Sequence, residues 1–340
     1  MDPKTSTTSD ASPMYPRPVS ATSKAWYYFI VYTRRVLLKL ALPILKRFPG
    51  MLYPGVKPTF TKSYPCHPNL THRFFYPKSY NASDPALPLY IDIHGGGFVF
   101  FAAQVDDKFC SNLANNNNIL VVSLEYSLAP SSPFPVALHE AADVITSILD
   151  DDSLPFDRSK IAVGGFSAGA SLALTVSQLP NIKKILRGVV AFYPVIDWTR
   201  NVQDQLASKP KGCGPDSLEA RMPLFEYCYI PAGQDMKDPL VSPGFATRDA
   251  LPSKVCLIGC EHDLLCRDAE VMAQRLAKVE TEDGASAWEH DGIKWAKIVG
   301  QVHAFDFLPF PTGEVKKIRQ ERAKQMYDDV VDWLFREVYI

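Results

Sequence analysis

The chain lacks an excess of charge of either sign. Its 340 residues include 36 Lys and Arg and 37 Asp and Glu, which gives a formal net charge of −1. Long-range attraction of a polyanion needs a strongly basic surface, so nothing in the charge balance indicates a nucleic-acid partner. We expect no nucleic acid to bind.

Signals for disulfide formation and for export are also missing. The seven cysteines are odd in number and contain no C-x-x-C pair, which favours a reducing compartment. Cys256 and Cys260 lie on and just after an apolar run, where we expect buried free thiols, with metal ligation as the alternative. Residues 1–20 are polar and lack the basic and apolar regions of a signal peptide. We expect a disordered leader there, and a cytoplasmic protein.

No apolar run is long enough to span a membrane. The best candidate, residues 24–48, is interrupted by Arg34, Arg35 and Lys39. This segment is predicted to form one or two helices docked on the main domain, within an N-terminal helical cap segment over residues 21–60. Its aromatic and basic residues leave a second interpretation open, which is peripheral contact with a membrane surface.

Short apolar runs alternate with segments of helical spacing from about residue 70 onward. The predicted strands are residues 87–93, 118–126, 160–165, 186–195, 254–260 and 293–300. The predicted helices are residues 134–149, the stretch after Ser167, residues 267–279 and residues 314–338. This alternation is typical of an α/β fold with a mostly parallel central sheet flanked by helices. Only residues 199–238 interrupt it, and we interpret them as a helical cap insertion.

Ser167 lies in the pattern G-x-S-x-G, between Gly165 and Gly169, where a predicted strand turns into a predicted helix. A strained turn that presents a nucleophile requires glycine on both sides. A serine that only caps the helix fits this pentapeptide almost as well. A second motif, His94 followed by Gly95–Gly97, comes directly after an earlier strand. Exposed backbone N–H groups there would stabilise an oxyanion, whereas phosphate binding would call for the missing P-loop lysine.

A nucleophilic serine needs a general base, and the base needs a group that orients it. His303 follows the last predicted strand, and Asp263 follows the strand over residues 254–260. Glu261 and Asp268 are rival acids near the same strand end. The chain order of serine, aspartate and histidine matches the order known for α/β-hydrolases.

Together these motifs resemble the hormone-sensitive-lipase-like branch of the α/β-hydrolase fold, a carboxylesterase group with an HGGG loop. The similarity runs from about residue 70 to the C-terminus and includes residues 126–141, 192–198, 238–243 and 262–268. It implies that residues 61–340 form an α/β-hydrolase catalytic domain, with the cap insertion at about residues 199–238. It implies neither a metal nor an organic cofactor.

The resemblance also implies a role for each motif. Ser167 would attack the carbonyl carbon, His303 would take and then return a proton, and Asp263 would orient His303. The backbone amides of Gly96, Gly97 and Ala168 would hold the oxyanion. His94 and Gly95 would shape the loop.

Two departures from the family pattern are visible. Phe166 stands before the serine where the family usually has Asp. Ser127 and Ser131 replace an Arg and a Glu, so a buried ion-pair network common in the family is expected to be missing there.

The function expected from this pattern is hydrolysis of a small acyl ester, acetyl-like, of an apolar molecule such as a secondary metabolite. Hydrolysis of an amide, formamide or lactone, and acyl transfer to an alcohol, use the same groups and stay open as alternatives. A ligand receptor without catalysis is disfavoured because His303 is present.

Overall fold

A nine-stranded sheet forms the centre of the protein in a computed structural model that describes residues 19–45, 56–280, 285–307 and 313–340. Most of the predicted leader, residues 1–18, lies outside these described residues. The strands are β1 (Phe60–Lys62), β2 (His72–Phe75), β3 (Leu87–Ile93), β4 (Leu120–Leu124), β5 (Phe156–Phe166), β6 (Gly188–Phe192), β7 (Lys254–Cys260), β8 (Ala287–His290) and β9 (Ile293–Ile298).

The strand order is β1-β2-β4-β3-β5-β6-β7-β9-β8. Six neighbouring strands, β4, β3, β5, β6, β7 and β9, pair in parallel. The strands β1 and β2 at one edge, and β8 at the other, add antiparallel pairs. The carboxyl ends of parallel strands meet along one edge of the sheet, where α/β proteins place their ligands. The loops after β3, β5, β7 and β9 therefore come together.

Helices cover both faces of the sheet. They are α1 (Ala21–Leu45), α2 (Asp107–Asn117), α3 (Val136–Leu149), α4 (Ala168–Val176), α5 (Pro180–Lys183), α6 (Val202–Ala207), α7 (Met222–Tyr229), α8 (Cys266–Ala277) and α9 (Gly313–Trp333), followed by a π-helical turn over Leu334–Val338. One apolar core lies beneath α3, α4 and α8, and a second lies beneath α2 and α9. Because helices cover both faces, β4 and β6 are buried at every position.

The predicted fold class is confirmed, as a mostly parallel sheet flanked by helices. The described part of the predicted N-terminal segment forms one helix, α1, while residues 46–55 of that segment lie outside the described residues. The insertion over residues 199–238 contains α6 and α7. All seven cysteines are free; Cys256 and Cys260 are buried, and burial raises the pKa of Cys256 to about 12. Among the described residues, no helix combines the length and apolar character that crossing a membrane requires.

Candidate active site

Ser167 occupies a strained turn between β5 and α4. Its backbone has a φ of 53°, in the left-handed region that most side chains avoid. The turn is held tightly against the end of β3, because a Cβ on Gly169 would lie only 1.9 Å from the carbonyl oxygen of Ile93. Glycine is therefore required at this position, and Ser167 is presented at the carboxyl edge of the sheet with its side chain partly exposed.

The structure brings Ser167, His303 and Asp263 together in one hydrogen-bonded chain. The His303 Nε2 atom lies 2.9 Å from Ser167 Oγ, and His303 Nδ1 lies 2.6 Å from Asp263 Oδ2. The other carboxylate oxygen of Asp263 accepts a hydrogen bond from the Leu265 N–H at 3.0 Å. Asp263 is thus fixed by its own turn while it faces the imidazole. The arrangement can carry a proton away from the serine hydroxyl.

The charges around His303 favour its protonated form. Burial by itself lowers the pKa of His303, but the charge and hydrogen bond of Asp263, together with the charges of Asp216 and Asp306, outweigh burial. The pKa is therefore raised above its ordinary value. Tyr193 packs edge-on against the imidazole at 5.0 Å between ring centres, and its hydroxyl donates to Asp306 at 2.8 Å. An imidazolium formed during catalysis would be stabilised here.

The HGGG loop lies beside this chain of hydrogen bonds. Gly96 has a φ of 123°, and a Cβ there would lie 2.1 Å from the carbonyl oxygen of Phe100, so the loop conformation requires glycine. Within the described part of the chain, the N–H groups of Gly96, Gly97 and Ala168 make no backbone hydrogen bond. These are the three amides predicted to hold an oxyanion, and their donors are available for one.

His94 anchors the loop from beneath, with support from two residues that the sequence did not single out. Its Nδ1 atom lies 2.8 Å from the Gly95 carbonyl oxygen, and its ring stacks on Tyr126 at 4.2 Å between ring centres. The Tyr126 hydroxyl donates to the His94 carbonyl oxygen at 3.0 Å, and His94 Nε2 lies 3.4 Å from Glu125. Glu125 and Tyr126 follow β4 directly, and Tyr126 also begins the stretch over residues 126–141 that resembles the family, which was the signal that the sequence offered.

The rival acids have other partners. Glu261 accepts a hydrogen bond from the Gly300 N–H at 2.7 Å and does not contact His303. Asp268 binds two residues of the 199–238 insertion, through an ion pair with Arg200 and a 2.8 Å hydrogen bond from Gln205. The sequence left these two carboxylates open as alternatives, and the geometry favours Asp263.

The insertion is fastened to the turn that carries Asp263 by a second carboxylate. Asp216 accepts a hydrogen bond from the Leu264 N–H at 2.9 Å, and it pairs with Lys209 at 3.1 Å in a buried ion pair. The insertion therefore contacts the backbone next to Asp263, and Asp216 adds negative charge near His303. Nothing in the sequence pattern pointed to Asp216, because its partner lies 48 residues away.

Helix α7 of the insertion lies over the HGGG loop. The Phe225 ring is so close to Gly97 that a Cβ on that glycine would lie 2.5 Å from it. The Tyr229 ring stacks on Phe98 at 3.6 Å between ring centres. The space next to the HGGG loop is therefore bounded by aromatic side chains.

Phe166, the residue that departs from the family pattern, is buried within an aromatic cluster. Its ring stacks on Phe192 at 4.5 Å between ring centres, and it meets Phe109 and Phe307 edge-on at 4.9 Å. A carboxylate at this position would lose these ring contacts. It would also be buried among aromatic rings, which offer its charge no cation. The phenylalanine is explained by the cluster that surrounds it.

Phe166→Asp is therefore expected to lower the free energy of unfolding by roughly 3–5 kcal/mol, because ring contacts are lost and a charge is buried. Phe166→Leu keeps an apolar side chain and should cost about 1.5 kcal/mol or less. Urea denaturation of the two variants checks this. Equal midpoints for Phe166→Asp and wild type would show that the cluster contributes little.

The second departure also has a structural answer. Ser127 donates from both its backbone N–H and its hydroxyl to the two carboxylate oxygens of Glu140, each at 2.7 Å. Hydrogen bonds from a serine thus satisfy Glu140, where the family resemblance would have placed an arginine. The carboxylate stays hydrogen-bonded without that partner.

Comparison with known proteins matches this chain to one family. The family profile described as alpha/beta hydrolase fold matches residues 90–295. The chain is 29% identical over 223 residues to an arylesterase of Saccharolobus solfataricus, covering 64% of this chain and 68% of that protein. It is 34% identical over 110 residues to hormone-sensitive lipase of Mus musculus, covering 32% of this chain and 14% of that protein. The structure of EstE1, a carboxylesterase from a metagenomic library, matches with a TM-score of 0.64 and 25% identity, covering 79% of this chain and 85% of that one.

The chain belongs to the α/β-hydrolase fold family, as its sheet order and its match over residues 90–295 show. Within that family, the predicted resemblance to the hormone-sensitive-lipase-like branch is confirmed. The aligned stretches span 65% and 62% of the length of two further curated relatives that it matches.

Proposed function

We propose that the protein is a serine carboxylesterase that hydrolyses esters through an acyl-enzyme. The observation that carries this proposal is the hydrogen-bonded chain from Ser167 through His303 to Asp263, beside the HGGG loop. Relatives named arylesterase, esterase and ethyl acetate hydrolase support the same reaction class.

The proposed reaction has two halves that use the same residues. Ser167 Oγ attacks the ester carbonyl carbon while His303 Nε2 takes the hydroxyl proton, and the amides of Gly96, Gly97 and Ala168 receive the oxyanion. Collapse of this intermediate breaks the ester C–O bond, and His303 gives its proton to the departing alcohol. Water then attacks the acyl-enzyme with His303 as base, which releases the acid and restores the serine.

The proposed substrate has a small, acetyl-like acyl group on an apolar alcohol, of the kind found among acetylated secondary metabolites. In this proposal, residues 21–60 and 199–238 act as a cap over the site. Aromatic rings of α7 lie against the HGGG loop, which supports an apolar substrate. Phe225 fills the space above Gly97, which leaves little room for a long acyl chain at that point. The free thiols of all seven cysteines support a reducing compartment such as the cytoplasm.

A series of p-nitrophenyl esters from acetate to palmitate tests this substrate class. We expect kcat/KM to be highest for acetate or butyrate and to fall by about tenfold or more at octanoate, because longer chains meet Phe225. Phe225→Ala should raise the octanoate-to-acetate ratio. Tyr227→Ala, whose ring packs against α1 instead of the loop, is the matched control. A wild-type preference for palmitate would contradict the proposed substrate.

A further inference from the structure

Helix α1 is fixed to the rest of the protein along one side. Val31 is fully buried, and the Tyr27 ring packs on Tyr227 of α7 at 5.6 Å between ring centres. Arg35 donates hydrogen bonds to the carbonyl oxygens of Ala129, at 2.5 Å, and of Val99, at 3.2 Å. The helix therefore lies flat against the molecule, with one face turned outward.

The outward face of α1 is apolar. Seven large side chains on it are between 43% and 67% exposed: Trp26, Tyr28, Phe29, Tyr32, Val36, Leu37 and Leu40. At the helical spacing of about 100° per residue, five of them fall in one stripe about 100° wide. We call this the outer stripe; it consists of Trp26, Phe29, Val36, Leu37 and Leu40. Single exposed residues of this kind are ordinary, whereas their alignment along one side of a helix is the pattern of an amphipathic helix that meets apolar surroundings.

The stretch of sequence that includes this helix is rich in basic residues, two of which, Lys62 and Arg73, pair with Asp151 and Asp107. Residues 11–83 contain eleven Lys and Arg and no Asp or Glu. That leaves 25 of the 36 basic residues, and all 37 acidic ones, for the rest of the chain. The overall charge near zero thus conceals a cationic N-terminal part and an anionic remainder. A partner of the outer stripe should be anionic as well as apolar.

A second copy of the protein fits this face poorly. The outer stripe is about 21 Å long, at 1.5 Å per residue, and about 10 Å wide, so it offers roughly 200 Å². A stable protein interface needs about 800 Å² from each partner. Two copies of α1 would also bring like charges together, since the helix carries Lys24, Arg34, Arg35 and Lys39 and no acidic residue.

We propose that the outer stripe of α1 docks the protein on a membrane surface that contains anionic lipid, with the helix lying parallel to that surface. Apolar side chains would enter the boundary between headgroups and acyl chains while cationic side chains bind lipid headgroups. The docked surface would adjoin the HGGG loop, because Arg34 lies over the Phe100 ring at 4.8 Å and the Phe100 N–H donates to the Gly96 carbonyl oxygen at 3.0 Å. Docking does not require hydrolysis, so Ser167→Ala should bind as the wild type does.

Flotation of the full chain with lipid vesicles tests the proposal. We expect binding to vesicles of phosphatidylcholine with about 30 mol% phosphatidylserine, little binding to phosphatidylcholine alone, and loss of binding at about 500 mM salt. The double variant Leu37→Glu/Leu40→Glu should weaken partitioning on the order of tenfold or more. Val315→Glu/Ile318→Glu has the same spacing on α9, at residues 53% and 45% exposed, and should bind as the wild type does.

Trp26 allows a second measurement on the wild-type protein, which does not depend on whether the glutamate variants fold. Brominated lipid in the anionic vesicles should quench Trp26 fluorescence, and Trp26→Phe should remove most of that quenching. Of the other four tryptophans, Trp198, Trp295 and Trp333 are buried, and Trp288 is partly buried on the edge strand β8. Absence of vesicle binding, equal binding by the Leu37→Glu/Leu40→Glu variant, or a dimer in solution that this variant dissociates would overturn the proposal.

Discussion

Replacing Ser167 with Ala is expected to lower kcat for p-nitrophenyl acetate by about 10⁶-fold. The change removes the Oγ atom that His303 Nε2 contacts at 2.9 Å and leaves no other nucleophile in its place. Binding and the oxyanion amides would remain, so some acceleration over water should survive. Steady-state hydrolysis, with active sites counted by a fluorophosphonate that labels the serine, measures the effect.

The matched control for this experiment is Ser171→Ala, one helical turn further along α4. The Ser171 hydroxyl donates to the backbone carbonyl oxygens of Val195 and, at 3.3 Å, of Ser167, and it does not contact His303. Ser171→Ala should keep activity within about tenfold of wild type, since only structural hydrogen bonds to the backbone are lost. Wild-type activity in Ser167→Ala, or labelling that persists there, would show that Ser167 is not the nucleophile.

Asp263→Asn is expected to lower kcat by roughly 10⁴-fold and to move the acid limb of the pH profile. His303 must be neutral to act as base, so kcat/KM falls as pH drops through its pKa. Asp263 raises that pKa above its ordinary value. Without the Asp263 carboxylate, only Asp216 and Asp306 oppose burial, which lowers the pKa of His303, so the acid limb should shift to lower pH. Profiles of kcat/KM from about pH 5 to about pH 9 measure both changes.

Two matched variants separate Asp263 from its neighbours. Glu261→Gln and Asp268→Asn remove the two rival carboxylates, neither of which contacts His303. Glu261→Gln should keep the wild-type acid limb and most of the activity. Asp268→Asn should weaken the contact between Arg200 and α8 and lower the free energy of unfolding by about 1–3 kcal/mol. It should not shift the acid limb of the pH profile. A profile for Asp263→Asn with the same acid limb as wild type would contradict the assignment.

The buried parallel strands could be predicted because each is a short apolar run followed by a helical pattern. Helix α2 could not, because Asp107–Asn117 has many polar residues and is held by the burial of a few, among them Phe109 and Leu113. The edge strands β1, β2 and β8 are three or four residues long. Their pairing depends on contacts between distant segments, which periodicity does not record.

The candidate site was predictable where chemistry fixes spacing along the chain. Gly165–Gly169 and His94–Gly97 are continuous motifs, and His303 and Asp263 follow strands whose ends must meet. The supporting residues Asp216 and Tyr126 act across 48 and 32 residues of sequence. Their roles depend on how the insertion and the loops pack, so they needed a structure.

The two end strands of the sheet have a consequence for how the protein behaves at high concentration. An open strand edge can recruit another chain, and short, charged edges oppose such aggregation. β1 has three residues, and β8 has four. On β8, Glu289 pairs with Lys294 at 3.0 Å and with Arg336 at 2.7 Å. A second molecule adding a strand there would meet a short edge that carries charged side chains, so this hairpin opposes further growth of the sheet.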